Sequence, residues 1–210
     1  MTKVPSLTNE QEKELEAYNG LRQYDMAMDA TEMYLDRDHP FALRPSLLLQ
    51  LQAEAVKGIE LYPGQWRVGT AKITHSDHNP PGPHLVENLV TEMCDYVNDN
   101  FHEFTAFYLA SFIMWRLNWI HPFSDGNGRT SRILSYLVLN VKLGYVLPGM
   151  PNIPIQIEAN RDPYYNALKA ADKIYVEEHR FDLTKMETML RGMLARQLLS
   201  VIETADGEAD

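Results

Sequence analysis

The residues able to do chemistry gather in one run of twelve: His121-Pro122-Phe123-Ser124-Asp125-Gly126-Asn127-Gly128-Arg129-Thr130-Ser131-Arg132. An apolar helical pattern ends near Ile120, and Pro122 forbids its simple continuation. Gly126, Asn127 and Gly128 are the residue types that most readily adopt positive φ or admit a close ligand. A second apolar helix starts at about Gly128. A glycine-rich turn feeding a helix N-terminus offers free N–H groups and the positive end of a dipole, which favour an anion. Arg129 and Arg132 share a face of that helix's first turn. Cations are disfavoured at such an end, so two arginines there make sense with a polyanion between them, which guanidinium groups grip bidentately.

Asp125 is the only carboxylate in the run. Beside phosphate it is repelled unless a divalent cation bridges the two, and magnesium suits one carboxylate, phosphate oxygens and water. His121, on the other lip, has the unperturbed pKa best placed for a general base near neutrality. Phe123 reads as a core anchor. The residues alone point to phosphate, magnesium and a base, hence to a transfer reaction on a nucleotide.

The elements that must position this run are helices. A charged stretch, Glu10 to Glu16, reads as a solvated helix face, followed by a pattern from about Leu21 to Leu35. Ser46 is a candidate cap for a helix carrying Leu47, Leu48, Leu51 and Val56. Gln65 to Ser76 is short and β-prone between Pro63-Gly64 and Asn79-Pro80-Pro81-Gly82-Pro83, and predicts a small hairpin or extended flap. Val86, Leu89, Val90, Met93 and Val97 mark one buried helix face, bordered by Cys94 as a small apolar residue. Glu103 to Trp119 and Ile133 to Val141 are apolar nearly all round and predict two central helices. Further helices run over about Arg161–Val176 and Leu183–Ile202. The fold class is all-α, a helical bundle around those two central helices with a small β-hairpin flap.

Composition sets limits. The 210 residues suit one domain with a real core. The net charge of −10 is poor for nucleic acid, whose affinity rests on many basic contacts. The single Cys94 excludes an intramolecular disulfide framework and a CxxC site. No apolar run reaches the ~20 residues of a membrane span. The start is not that of a signal peptide, and a cytoplasmic location is expected. His75, His78 and His84 lie in a proline-rich loop with no HExxH frame and read as exposed loop histidines.

The run matches HxFx(D/E)GNGRxxR, the signature of the Fic family, at every fixed position, and the chain is identified on it as resembling that family. The approach helix Met114 to Ile120 and the segment Gly64-Gln65-Trp66-Arg67 with Lys72 to Ser76 and Pro80-Pro81 are similar too. So is Asp162-Pro163-Tyr164-Tyr165 with Leu168, which resembles the helix bordering the nucleotide base. The resemblance implies a 45–180 core, with flap 64–82 and loop 121–132. A helical extension over 1–44 and a C-terminal helix with an acidic tail over 181–210 complete one compact domain.

It further implies a protein adenylyltransferase that moves AMP from ATP to a Ser, Thr or Tyr hydroxyl of a target protein docked along the flap. His121 is then the general base and Asp125 the magnesium ligand. Gly126, Asn127, Gly128, Arg129, Arg132, Thr74, His75 and Tyr164 bind the nucleotide. Two alternatives keep the fold: another nucleotide donor, or removal of AMP from a modified target. A third is a non-catalytic nucleotide-binding module. Many relatives are restrained by a helix [S/T]xxxE[G/N] whose glutamate pairs with the second motif arginine. No complete copy occurs, which leaves a separate antitoxin-like partner, a divergent internal glutamate or no such restraint. Homo-oligomerisation stays open, and neither nucleic acid nor membrane is an expected partner.

Overall fold

Helix α1 (Asn9–Leu35) opens with a capping box: the Thr8 hydroxyl accepts from the Gln11 N–H, and the Gln11 side chain accepts from the Thr8 N–H. The sequence pattern showed two stretches here. The structure is one 27-residue helix, because its buried seam is Asn19, Gln23, Ala27 and Thr31, mostly polar residues at fourfold spacing that apolar periodicity does not register. Asn19 donates to the Lys57 carbonyl at 2.8 Å and Gln23 to the Leu51 carbonyl at 2.9 Å, fixing α1 across α2 (Pro45–Ala55). The start of α2 also differs from the expected Ser46 cap. Arg44 is the cap residue, with no side-chain bond, and Pro45 sets the first helical φ.

This computed structural model describes residues 3–4, 7–73, 76 and 78–207. A 3-10 turn (Pro83–Leu85) leads into α3 (Val86–Asp99), and then come α4 (Ala106–Ile120) and α5 (Asn127–Leu143). α6 (Ile153–Ala159), α7 (Asp162–Glu178) and α8 (Thr184–Gly207) follow. Eleven of fifteen residues in α4 and thirteen of seventeen in α5 are buried, and the two helices pack along each other. The Ser135 hydroxyl donates to the Ala110 carbonyl between them at 2.8 Å. α4 starts at Ala106 rather than at Glu103, capped by Thr105, whose hydroxyl accepts from the Tyr108 N–H at 3.1 Å. Cys94 is buried, and burial pushes its thiol up to about 12, which removes it as a nucleophile at neutral pH. No helix among the described residues is long and apolar enough to cross a membrane.

The expected hairpin over 64–82 does not appear among the described residues, which are extended coil and bends. Its donors are spent elsewhere. The Gly64 N–H binds the Gln52 side chain at 2.7 Å and the Arg67 N–H binds the Pro122 carbonyl at 2.9 Å. Pro80 and Pro81 have no N–H to offer a ladder. His78 is half-buried rather than exposed, with Nε2 2.7 Å from the Trp119 carbonyl and its ring tilted over that indole. Thr74 and His75 lie outside the described residues.

The Thr105 hydroxyl caps the N-terminus of α4, and Thr105→Ala should lower stability by about 1 kcal/mol in urea unfolding.

Candidate active site

Helix α4 stops because His121 takes the left-handed conformation, φ 50° and ψ 59°, as its C-cap. A non-glycine residue there needs a reason in its surroundings, and Arg67 supplies it. Only 5% exposed, its guanidinium donates through Nε to the His121 carbonyl at 2.6 Å. Nη2 reaches the Ile120 carbonyl at 3.3 Å and the Pro81 carbonyl at 2.5 Å, and Nη1 the Gly69 carbonyl at 2.8 Å. One buried cation thus satisfies the terminal carbonyls of α4, which no helix turn can reach, and ties them to the 64–82 segment.

His121 is half-buried with Nδ1 enclosed. Burial first, and the Arg67 charge second, lower its pKa to about 4, against a smaller opposing pull from the Asn118 backbone. That carbonyl favours the protonated ring, yet Nδ1 makes no well-formed hydrogen bond, so the contact is a weak one. The imidazole is neutral at physiological pH and able to accept a proton.

The loop beyond is built by Asn127. Its amide donates to the Phe123 carbonyl and its oxygen accepts from the Phe123 N–H, both at 2.9 Å, and it is 4% exposed. Phe123 is fully buried and packs on Trp66. Gly126 caps α5 at φ 82°; a Cβ there would press to 3.0 Å of Val56. A Cβ on Gly128 would come within 3.2 Å of an Arg132 Nη1. Glycine at 126 thus lets the loop pack against α2 and glycine at 128 leaves room for the Arg132 guanidinium, while the Asn127 side chain faces inward as a clamp.

Asp125 accepts from the Gly126 N–H at 2.6 Å through Oδ1 and pairs with Arg129 at 3.2 Å through Oδ2. Arg129 also donates to the Ala55 carbonyl at 3.1 Å and pairs with Glu16 of α1 at 3.2 Å. The Glu10–Glu16 face is thus not simply solvated: Glu12, Glu16 and Asp125 come together, with Glu12 paired to Lys3. The Asp125 carbonyl accepts from Gln52, which through Gly64 joins the loop to the 64–82 segment.

Arg132 is 9% exposed and pairs with Glu158 at 2.6 Å. Glu158 sits on α6, a helix absent from the sequence reading, and also holds Arg161. Tyr164 is 2% exposed, and its hydroxyl lies 2.7 Å from the Asn118 amide and 3.3 Å from Ser131. Tyr165, its neighbour, instead lines a cavity with Ile73, Trp119, Leu168 and Asp172. The structure therefore brings His121, Asp125, Gly126, Asn127, Gly128, Arg129 and Arg132 into one turn. It adds Arg67, Gln52, Asn118 and Glu158, which the motif does not contain. Arg67 and Asn118 lie in the segments that the sequence marked as resembling the family, but nothing in the sequence assigned either a role.

Asp125, with its partly exposed carboxylate at the mouth of an anion nest, is a hard oxygen donor of the kind magnesium takes together with phosphate oxygens and water. Both its oxygens are engaged by weaker partners that such an ion can share or displace.

Residues 40–139 match the Fic/DOC family. A protein adenylyltransferase Fic of Drosophila willistoni is 28% identical over 166 residues, 77% of this chain and 30% of that protein. One from Aedes aegypti is 36% identical over 100 residues, 46% of this chain and 18% of that protein. The chain thus spans less than a third of the length of these curated relatives. Among solved structures, a Fic domain containing signaling protein from Bacteroides thetaiotaomicron superimposes with a TM-score of 0.72 at 21% identity. That overlap takes in 92% of this chain and 74% of that one and shows a shared fold.

Arg67→Lys removes the fork that reaches carbonyls on two sides. It should cost at least about 3 kcal/mol in thermal or urea unfolding, from charge-assisted hydrogen bonds lost inside the protein.

Proposed function

We propose, from the premise that residues 40–139 are a Fic/DOC-family domain, that this chain transfers AMP from ATP to a hydroxyl of a target protein. The observation that carries the reading is the neutral, half-buried His121 one glycine-rich turn before the α5 N-terminus, whose first turn carries two arginines, Arg129 and Arg132. The adenylyltransferase names of the relatives support the same chemistry.

In this reading the polyphosphate lies on the free N–H groups at the start of α5, with Arg129 and Arg132 on its outer oxygens. Asp125 holds magnesium, which supplies charge neutralisation on the phosphates. The oxygen of a Ser, Thr or Tyr on the target, docked along 64–82, forms a bond to the α-phosphorus. The bond from that phosphorus to the oxygen bridging to the β-phosphate breaks, and pyrophosphate leaves with the electron pair. His121, with Nδ1 enclosed, takes the hydroxyl proton at Nε2. The remainder is positioning: Asn127 and Arg67 fix the loop and the histidine relative to each other.

Glu158 occupies the Arg132 guanidinium that a phosphate needs, so it competes with the nucleotide's outer phosphates. It is an internal restraint of the divergent kind that the sequence left open beside a separate inhibitory partner.

Purified protein with magnesium and ATP labelled at the α-phosphate should label itself or a lysate protein, and His121→Ala should not. Equal labelling by both would remove His121 from its role. Because a base acts as neutral imidazole, and burial with Arg67 sets the pKa at about 4 instead of 6.5, kcat/KM should show no acid inflection near 6.5 and fall only toward about 4. Glu158 is half exposed, which limits what its pair with Arg132 is worth. Glu158→Gln should therefore tighten ATP binding by up to about fivefold in calorimetry. Weaker binding would show that Glu158 orients Arg132 for phosphate.

A further inference from the structure

Helix α8 outlasts the bundle it packs on. Its core row is Met186, Leu190, Met193, Leu194 and Gln197, all buried where the helix lies against α4, α6 and α7. Val201 continues that row by spacing, yet it is 39% exposed. Every residue from Val201 to Ala205 is exposed, while the helix runs on to Gly207. Helices draw most of their stability from packing a face rather than from propensity. Here a second face is present with no partner among the described residues.

That face lies opposite the core row. Gly192, Ala195, Leu199 and Ile202 are all exposed and recur at spacings of three and four. The two large side chains stand toward the C-terminal end, and the two small residues stand one turn or more before them. A Cβ on Gly192 would meet nothing within 4 Å, so the surface is open there. Met150 extends the apolar area from the side. It is 59% exposed, and its N–H donates to the Ser200 hydroxyl at 3.0 Å.

The order of sizes and charges along the stripe identifies its occupant. Against an identical helix running antiparallel and crossing at Leu199, each Ile202 lies over the gap left by Ala195 and Gly192 of the other copy. A parallel pair would set small against small and leave that gap empty. The charges agree. Arg196 and Glu203 are seven residues apart, hence on one flank of the stripe. Both are exposed, and neither has an ion-pair partner among the described residues; Arg196 makes only a long 3.4 Å bond to the Gly192 carbonyl. Antiparallel helices bring like flanks together, so Arg196 of each copy comes opposite Glu203 of the other, twice by symmetry. A parallel pair would set each charge against its own kind.

We propose that this face of α8 is the contact surface for a second copy of the chain, in a twofold antiparallel helix pair centred on Leu199. It stands apart from the nucleotide reading and survives if that reading fails. One helix face is a small interface, so association is weak and depends on concentration.

The test is sedimentation equilibrium of the full chain over a concentration series reaching the high micromolar range. Wild type should move from the monomer mass to twice that mass. Leu199→Glu should stay monomeric throughout and keep a cooperative unfolding transition, because Leu199 is 54% exposed. Arg196→Glu and Glu203→Arg each turn two opposite-charge pairs into two like-charge pairs, and each should weaken dimerisation by about fivefold or more. The double variant restores both pairs with the signs exchanged, and should return to within about twofold of wild type. Wild type that is monomeric at every concentration overturns the proposal. So does a dimer untouched by Leu199→Glu, which places the contact elsewhere. A double variant no better than the single ones overturns the antiparallel register, and with it the argument for a second copy.

Discussion

The site depends on a guanidinium placed where a helix runs out of hydrogen-bond donors. Helix α4 is buried almost throughout, so its last carbonyls have no water to turn to, and a buried unsatisfied carbonyl is costly. Arg67 meets those of Ile120 and His121 with its side chain and that of Pro122 with its backbone, while its other guanidinium nitrogen faces outward to Gly69. The same contacts hold His121 in a left-handed conformation that its Cβ disfavours. They also place a positive charge next to its ring, which adds to burial, the larger cause, in keeping the imidazole neutral. Termination of the helix and aim of the side chain share one cause, and that cause contributes to the protonation state.

The second constraint is charge at the start of α5. Two arginines at a helix N-terminus oppose the dipole, and each is held there by a carboxylate: Arg129 by Asp125 and Glu16, Arg132 by Glu158. The carboxylates come from three elements, the loop itself, α1 and α6. The α5 N-terminus thus carries its own counterions, and a phosphate there would have to compete with them. The net charge of −10 and two arginines at one helix end are then compatible, because part of that negative charge sits on the arginines themselves.

The loop was legible because its chemistry is local. Glycine, asparagine and proline act on their own backbone, and arginines three apart meet within one turn. What stayed hidden is long-range. Arg67 reaches His121 across 54 residues, and Glu158 reaches Arg132 from a seven-residue helix too short to show a period. The hairpin expected over 64–82 followed from β-prone residues, but strands need free N–H groups, and those of Gly64 and Arg67 are committed to α2 and the loop. In α1 the same gap shows in reverse: its seam is polar, so a continuous helix looked like two.

Tyr164 and Tyr165 show how far spacing can carry a reading. Adjacent helix positions lie about 100° apart around the axis, so two neighbouring tyrosines cannot serve the same purpose. Which one turns inward is decided by partners elsewhere. Asn118 on α4 and Ser131 on α5 offer hydroxyl-sized gaps that Tyr164 fills, and this leaves Tyr165 at the cavity beside Asp172, seven residues and nearly two turns further along α7. The buried tyrosine is therefore what orients α7. Rotating that helix by one position would withdraw the carboxyl from the cavity together with the exposed ring, so the packing of Tyr164 fixes which groups line the cavity.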